Sequence, residues 1–390
     1  MILVIADDFS GAAELAGIGR AYGLRTRLTN ALTTDDGFDL LVVDVGSRSL
    51  DEQAATEQLA GLCDKINAQF TPGFTLFKKV DSVLRGHVLA ELSILKTCFG
   101  YEAIALLPAN PSKGRLIQNG HYLINSEPLD QTSFASDPEY PRRSAHLGDL
   151  LGLRPHNGSH THLTVKTDLT GKKGLFTADV TDRADLAYYA RQQSSRLLLA
   201  GAADLFEQFL LARGLSRQYF PTPPVLTGPT LFIGGSVHGR PLATKQGMDR
   251  AASVLVLSDA SLSATAPQTE SNVKAEIIGN LREKNTASLT VKAPLNCPAP
   301  FILAELARFV GEVVHAFGSA TLNLFISGGS TASFLFKTMQ LTDFEIIGEM
   351  AEGVVMVCPI AHQHMTVTIK PGSYAWPDFI HQPVSAIQTV

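Results

Sequence analysis

The sequence predicts an α/β protein of two domains, each a mainly parallel sheet flanked by helices, with an active site in the cleft between them. Two observations carry this. Short apolar runs alternate with longer amphipathic stretches, the pattern of β-α-β units. At 390 residues the chain is also long for a single hydrophobic core.

In order, buried strands are expected at residues 2–6, 40–45, 75–79 and 103–107, with helices starting at Ala12, Glu52 and Val88. A strand follows at 175–180, a helix from Arg183, a strand at 197–200 and a helix from Asp204. Residues 128–143, rich in Pro, Asp and Ser, read as a long ordered loop or lid. The Pro-rich stretch 220–229 reads as a linker, which sets domains at 1–225 and 226–390. Beyond it strands are expected at 231–233, 254–257, 287–291, 322–326 and 366–369. Helices are expected near 273–282, at 302–317 and from Ala332. Right-handed crossovers place the carboxyl ends of parallel strands on one edge, where ligands collect.

Composition narrows the function classes. Hydrophobic residues make up 45% of the chain, and the net charge of -5 lacks the basic excess of a nucleic-acid binder. Cys63, Cys98, Cys297 and Cys358 are too scattered for a disulfide framework or zinc site, so free thiols in a reducing compartment are expected. No run approaches the roughly 20 apolar residues of a membrane helix. The apolar run 2–6 ends at Asp7 with no basic segment before it, so no signal peptide is expected. A cytoplasmic protein, touching neither nucleic acid nor membrane, is the expectation, and a homodimer is the base-rate oligomer.

The chemistry-bearing residues follow expected strands. Asp7 and Asp8, directly after the first strand, suit hydroxyl or metal binding, and Ser10-Gly11 opens a helix whose N–H groups can receive an anion. Arg48 suits a bidentate grip on a carboxylate. The segment Lys78 to His87 gathers Lys79, Asp81, Ser82 and Arg85: cations for a carboxylate, and an acid for hydroxyl protons. Such an inventory fits a hydroxy acid. Gly114-Arg115 and Gly120-His121-Tyr122 add a turn-rich stretch at the same edge. In the second half, Gly234-Gly235-Ser236, Ser327-Gly328-Gly329-Ser330-Thr331 and Lys370-Pro371-Gly372-Ser373 each follow a strand and can bring backbone N–H groups close to phosphates. There is no P-loop.

These segments together resemble the four-carbon acid sugar kinase family over nearly the whole chain. The resemblance rests on residues 6–12, 44–49, 79–86 and 108–122, on Leu129, Thr132, Phe134, Asp137 and Pro138, and on Gly235, Ser236, Thr244, Gln246, 328–331, Lys370 and Gly372. It implies an N-terminal acid-sugar domain lined by Asp8, Arg48, Lys79, Asp81, Ser82 and Arg85. It also implies a C-terminal ATP domain lined by Ser236, Gly328, Gly329, Ser330, Thr331 and Gly372. The Lys-x-Asp-Ser-x-Leu-Arg-Gly form is closer to the threonate branch than to the oxo-tetronate branch. Ser10 stands where the family usually has Thr, and Ser330 where an acidic residue is common.

The expected reaction is phosphoryl transfer from Mg-ATP to the terminal hydroxyl of a threonate- or erythronate-type acid. Asp7, Ser10, Arg48, Lys79 and Ser82 would bind the acceptor. Asp8 or Asp81 would take the hydroxyl proton, and Arg85 would stabilise charge. Residues holding Mg2+ are not identifiable. The alternatives are a non-catalytic sensor retaining the fold, and a metal-dependent hydrolase using the Asp7/Asp8 edge.

Overall fold

The computed structural model describes the chain except residues 33–36, 71–72, 138–139, 154–159, 221–225, 235–251, 257–266, 293–296, 319, 373, 375 and 378–390. It divides into two compact units, Met1–Tyr219 and Phe220–Val390.

The first unit is built on eight strands: β1 (Ile2–Ala6), β2 (Thr26–Thr29), β3 (Leu40–Asp44), β4 (Thr75–Lys79), β5 (Ala103–Leu107), β9 (His160–Leu163), β10 (Gly174–Ala178) and β11 (Leu197–Gly201). Between β5 and β9 a separate antiparallel sheet is formed by β6 (Arg115–Gln118), β7 (His121–Ile124) and β8 (Glu127–Pro128). The main sheet runs β2-β3-β1-β4-β11-β5-β10-β9, with every pairing parallel. Strands β1 and β3 are buried throughout, which is why they read as unbroken apolar runs. Helices α1 (Phe9–Ala21), α2 (Glu52–Gln69), α3 (Val88–Phe99), α5 (Arg183–Ala190) and α6 (Ala203–Ala212) connect them, with a single turn, α4 (Leu147–Leu150), before β9. The first helix starts earlier than the expected Ala12, because the Asp8 carboxylate caps it by accepting from the Gly11 N–H.

The second unit carries β12 (Thr230–Gly234), β13 (Ala252–Val256), β14 (Thr286–Lys292), β15 (Leu322–Ser327), β16 (Asp343–Ala351), β17 (Val354–Pro359) and β18 (Met365–Lys370), with α7 (Pro267–Lys284), α8 (Ala299–Phe317) and α9 (Gly329–Thr338). Its order is β13-β14-β12-β15-β18-β17-β16. The pairings from β13 to β18 are parallel, and β16 and β17 add antiparallel strands. That hairpin was not expected from the sequence. Phe344 and Ile346 are buried beside exposed Glu345 and Ile347, so β16 is a half-buried strand without a continuous apolar run.

In both units the chain reverses its direction of strand addition. From β1 it passes to β3 on one side and β4 on the other, and from β12 to β14 and then β15. The loops that matter follow these strands, as the rule for open α/β sheets requires.

Candidate active site

Strand register brings the first cluster together. Ala6 pairs with Asp44 on one side and with Lys79 on the other, so the segments after β1, β3 and β4 leave the sheet at one level. Asp7, Asp8, Ser10, Arg48, Lys79, Asp81, Ser82 and Arg85, all named from the sequence, meet there. All but Arg85 are buried.

Arg48 lies at the centre. Its Nε and Nη2 donate to the two oxygens of Asp7 at 2.8 Å each, Nη2 also donates to Asp8 Oδ1 at 2.8 Å, and Nη1 lies 3.7 Å from Asp81. Asp81 accepts from Arg85 Nε at 3.1 Å and Nη2 at 2.9 Å, and from the Val83 and Arg85 N–H groups at 3.1 and 3.2 Å. It thus anchors a tight loop in which Leu84 sits at φ 63°, a conformation a branched residue holds only when its surroundings enforce it. The forks of Arg48 and Arg85, which the sequence suggested for the acceptor's carboxylate, are occupied by Asp7 and Asp81.

Asp8 is held differently: Oδ1 takes the Gly11 N–H and Arg48, while Oδ2 accepts, among the described residues, the neutral Ser10 hydroxyl at 2.6 Å. Gly11 is required here, since a Cβ would lie 2.8 Å from Asp8 Oδ1 and 2.9 Å from Lys79 Nζ. Burial pushes the Asp7 carboxyl up. For Asp8 the same burial is outweighed by the charges of Arg48 and Lys79 and by the Ser10 hydroxyl, which hold it down. Burial also opposes ionisation of Asp81, but Arg85 and Arg48 hold it well below the usual carboxylate range.

Lys78 and Lys79 are consecutive on β4, so they point to opposite faces. Lys79 Nζ lies on the α1 side, 3.9 Å from Glu14 and donating to the Val80 carbonyl at 3.1 Å. Lys78 is fully buried and pairs with Glu91 of α3 at 2.6 Å, and Glu91 also accepts the Ser47 hydroxyl.

Sequence reasoning did not single out Asp44, Glu91 or Arg142. Asp44 at the end of β3 is pushed up to about 8 by burial, then by the nearby Asp8 and Asp7 charges. Arg115, noted only as part of a turn-rich stretch, donates to the Ser82 hydroxyl. The loop after β8 lies over this group: Tyr140 donates to the Arg48 carbonyl, Asp137 pairs with Arg85 at 3.4 Å, and the Phe134 ring lies 5.9 Å from the Arg85 guanidinium and 5.6 Å from that of Arg115. His87 binds the Leu50 carbonyl at 2.7 Å, and His121 that of Asn119 at 2.9 Å.

In the second unit Gly234, Ser327 and Lys370 share one register level. Gly328, at φ 103°, caps α9 with no side-chain hydrogen bond, so the first-turn N–H groups at Gly329, Ser330 and Thr331 can serve an anion. Lys370 Nζ donates to Ser327 Oγ at 2.8 Å and stands 5.3 Å from the Trp376 ring, and burial pushes its ammonium down to about 8. Gly372 follows within two residues. Ser236, with Gly235, Thr244, Gln246 and Ser373, lies outside the described residues.

No set of three His, Cys, Asp or Glu side chains is arranged to hold a metal ion among the described residues, and Asp7 and Asp8 are joined to a cation already. Among the described residues no helix is long and apolar enough to cross a membrane.

Comparison with known proteins follows the same division. Residues 2–209 match a family described as a sugar-binding N-terminal domain, and residues 250–380 one described as a nucleotide-binding C-terminal domain. A D-threonate kinase of Salmonella typhimurium is 29% identical over 64% of this chain and 60% of its own length. A 3-oxo-tetronate kinase of Brucella melitensis is 25% identical over 97% of this chain and 94% of its own. A solved structure from Salmonella typhimurium LT2 shares the fold, with a TM-score of 0.70 at 17% identity over 96% of each chain. With both domain families matched in series and named kinases aligned along it, the chain belongs to the four-carbon acid sugar kinase family and is a sugar-acid kinase.

Proposed function

We propose that the chain transfers the γ-phosphoryl group of ATP to the terminal hydroxyl of a threonate- or erythronate-type acid, with Asp8 as the proton acceptor. The observation that carries this reading is the arrangement around Asp8. Its Oδ2 is engaged by a neutral hydroxyl, that of Ser10, whereas both oxygens of Asp81 are gripped by the Arg85 guanidinium and its Oδ2 also takes two loop N–H groups. Asp8 can therefore take an acceptor hydroxyl, and Asp81 serves to hold the loop. A carboxylate kept ionised is suited to the task, because phosphoryl transfer proceeds through a loose transition state that asks little of the base.

Arg48 and Lys79 keep Asp8 charged and lie beside the oxygen that attacks. Lys79 has few fixed acceptors and is the cation best placed to meet developing charge on the transferring group. The nucleotide phosphates are assigned to the Gly328–Thr331 turn, with Lys370 and Gly372 beside it. The described residues do not fit a protein-held Mg2+, since the carboxylates near the acceptor are paired and Ser330 supplies no charge. The ion that accompanies ATP would rest on the phosphates and waters, and no step is assigned to it.

The matched relatives act on D-threonate and on 3-oxo-tetronate by name, and the Lys79–Gly86 form favours the threonate type. A coupled ADP-release assay across D- and L-threonate, D- and L-erythronate and the oxo-tetronates tests this. Turnover of a threonate or erythronate is expected. Turnover confined to oxo-tetronates would move the chain to that branch, and silence with intact ATP binding would favour the sensor.

A further inference from the structure

Arg142 lies at the end of the loop that covers the Asp8 site, and nothing in the mechanism above uses it. Its backbone N–H donates to the Phe134 carbonyl at 2.9 Å and its Nε to the Tyr140 carbonyl at 3.1 Å. The guanidinium stands 5.7 Å from the Tyr140 ring. The residue is only 8% exposed, yet among the described residues it makes no ion pair. Each of the other arginines at this site has a carboxylate or hydroxyl partner: Arg48 has Asp7 and Asp8, the half-buried Arg85 has Asp81 and Asp137, and Arg115 has Ser82.

A guanidinium taken out of water without an anion costs several kcal/mol. Burial accordingly makes the Arg142 cation less favourable, the largest influence on it. The charges it feels are those of the site itself, with Asp81 and Asp137 attracting and Arg85 repelling. It therefore sits within electrostatic reach of the acceptor loop. The loop is tied to that site at two further points, by Tyr140 to the Arg48 carbonyl and by Asp137 to Arg85.

We propose that Arg142 is the residue that binds the carboxylate of the sugar acid, its planar fork receiving an anion that no described residue supplies. This rests on the acid-kinase reading above and deepens it, because it makes Arg142 the element that selects an acid over a neutral polyol. The forks of Arg48 and Arg85 are already occupied, whereas the two terminal nitrogens of Arg142 match a carboxylate in geometry and charge. A phosphate oxygen is the other anion such a fork accepts, and the test separates the two.

The wild-type chain, its R142Q variant and its R142K variant are compared in steady-state kinetics with the acid that the wild type uses. R142Q should raise the KM for the acid about 10- to 100-fold, the effect of losing charge-assisted hydrogen bonds. The nucleotide KM should stay at the wild-type value, and R142K should recover part of the loss. Because a buried cation with no ion-pair partner among the described residues is removed, the ligand-free Tm of R142Q should equal or exceed that of the wild type, while the Tm increase produced by the acid disappears. An unchanged KM for the acid overturns the inference, as does a rise confined to the nucleotide KM, which would mark a phosphate contact. A lower ligand-free Tm in both variants would make Arg142 structural and overturn it too. A wild type that turns over no four-carbon acid removes the kinase reading and this inference together. A wild type that does, beside an R142Q of normal KM, removes this inference alone.

Discussion

At the scale of single residues, the acidic cluster is held by one cation. Arg48 joins Asp7 and Asp8 at 2.8 Å and is buried with them. Truncating one partner of such a group leaves uncompensated charge behind, at about 3–5 kcal/mol. R48M should therefore lower stability by about that amount in urea unfolding, and adding D7N should restore part of it because the two sites are coupled. Additive losses in the double variant would contradict the shared-cation picture. Asp44 makes a pH-dependent contribution of its own. Its folded pKa, raised from 3.8 to about 8 by burial and by Asp8 and Asp7, means that the folded chain holds this proton more tightly than the unfolded one. The stabilisation is complete below about pH 4 and is lost as pH rises through about 8. D44N, which keeps an oxygen to accept the Gly46 N–H, should flatten the decline in stability between pH 5 and 8. An identical decline in wild type and D44N would contradict it. Asp44 was not singled out from the sequence because an acid closing an apolar strand looks the same whether or not two others lie against it. Arg142 escaped for a similar reason, since its distinction is burial without a carboxylate partner among the described residues, and that is a property of the fold.

At the scale of elements, the strand–loop junctions were the most legible part of the chain. The segments after β1, β3 and β4 were each recognised as charge following an apolar run, and register brings them to one level. The small antiparallel sheet went unread although its signal was present. Asn119-Gly120 joins β6 to β7 with φ of 50° and 72°, and Asn125-Ser126 joins β7 to β8 with φ of 50° and 70°. Two successive positive values are what a tight hairpin turn demands, yet the flanking strands are too short to show alternation. Strand β16 was missed for want of a continuous apolar run. The turn before α9 offers the sharpest test at this scale. Gly328 holds φ 103° and ψ 135°, a region that L residues avoid, although a Cβ there would find its nearest neighbour, Thr331 Oγ1, at 3.7 Å. The cost of G328A is therefore conformational and about 1–3 kcal/mol. Calorimetric titration should show weakened ATP binding with the acid affinity of the first unit unchanged. Wild-type nucleotide affinity in G328A would remove this turn from the phosphate site.

At the scale of the whole molecule, the two-unit organisation and the parallel sheets were readable because buried parallel strands write themselves as apolar runs and because the Gly-rich loops concentrate in the second half. The site was legible as an inventory and not as a wiring diagram. The sequence grouped Arg48, Lys79 and Arg85 as cations for a carboxylate, whereas the structure gives Arg48 and Arg85 acidic partners and, among the described residues, gives Arg142 none. It left Asp8 and Asp81 equivalent as bases, a choice that depends on how many donors each oxygen already receives. The most direct test of the account is a single-turnover measurement of phosphoryl transfer from Mg-ATP to the threonate or erythronate that the wild type prefers, with the phosphomonoester identified by phosphorus NMR, in wild type and D8N. The account predicts one phosphomonoester per ADP in the wild type, and in D8N a transfer rate about 10²–10⁴-fold lower with acid affinity retained. ADP formed without the ester, or transfer by D8N at the wild-type rate, would contradict it.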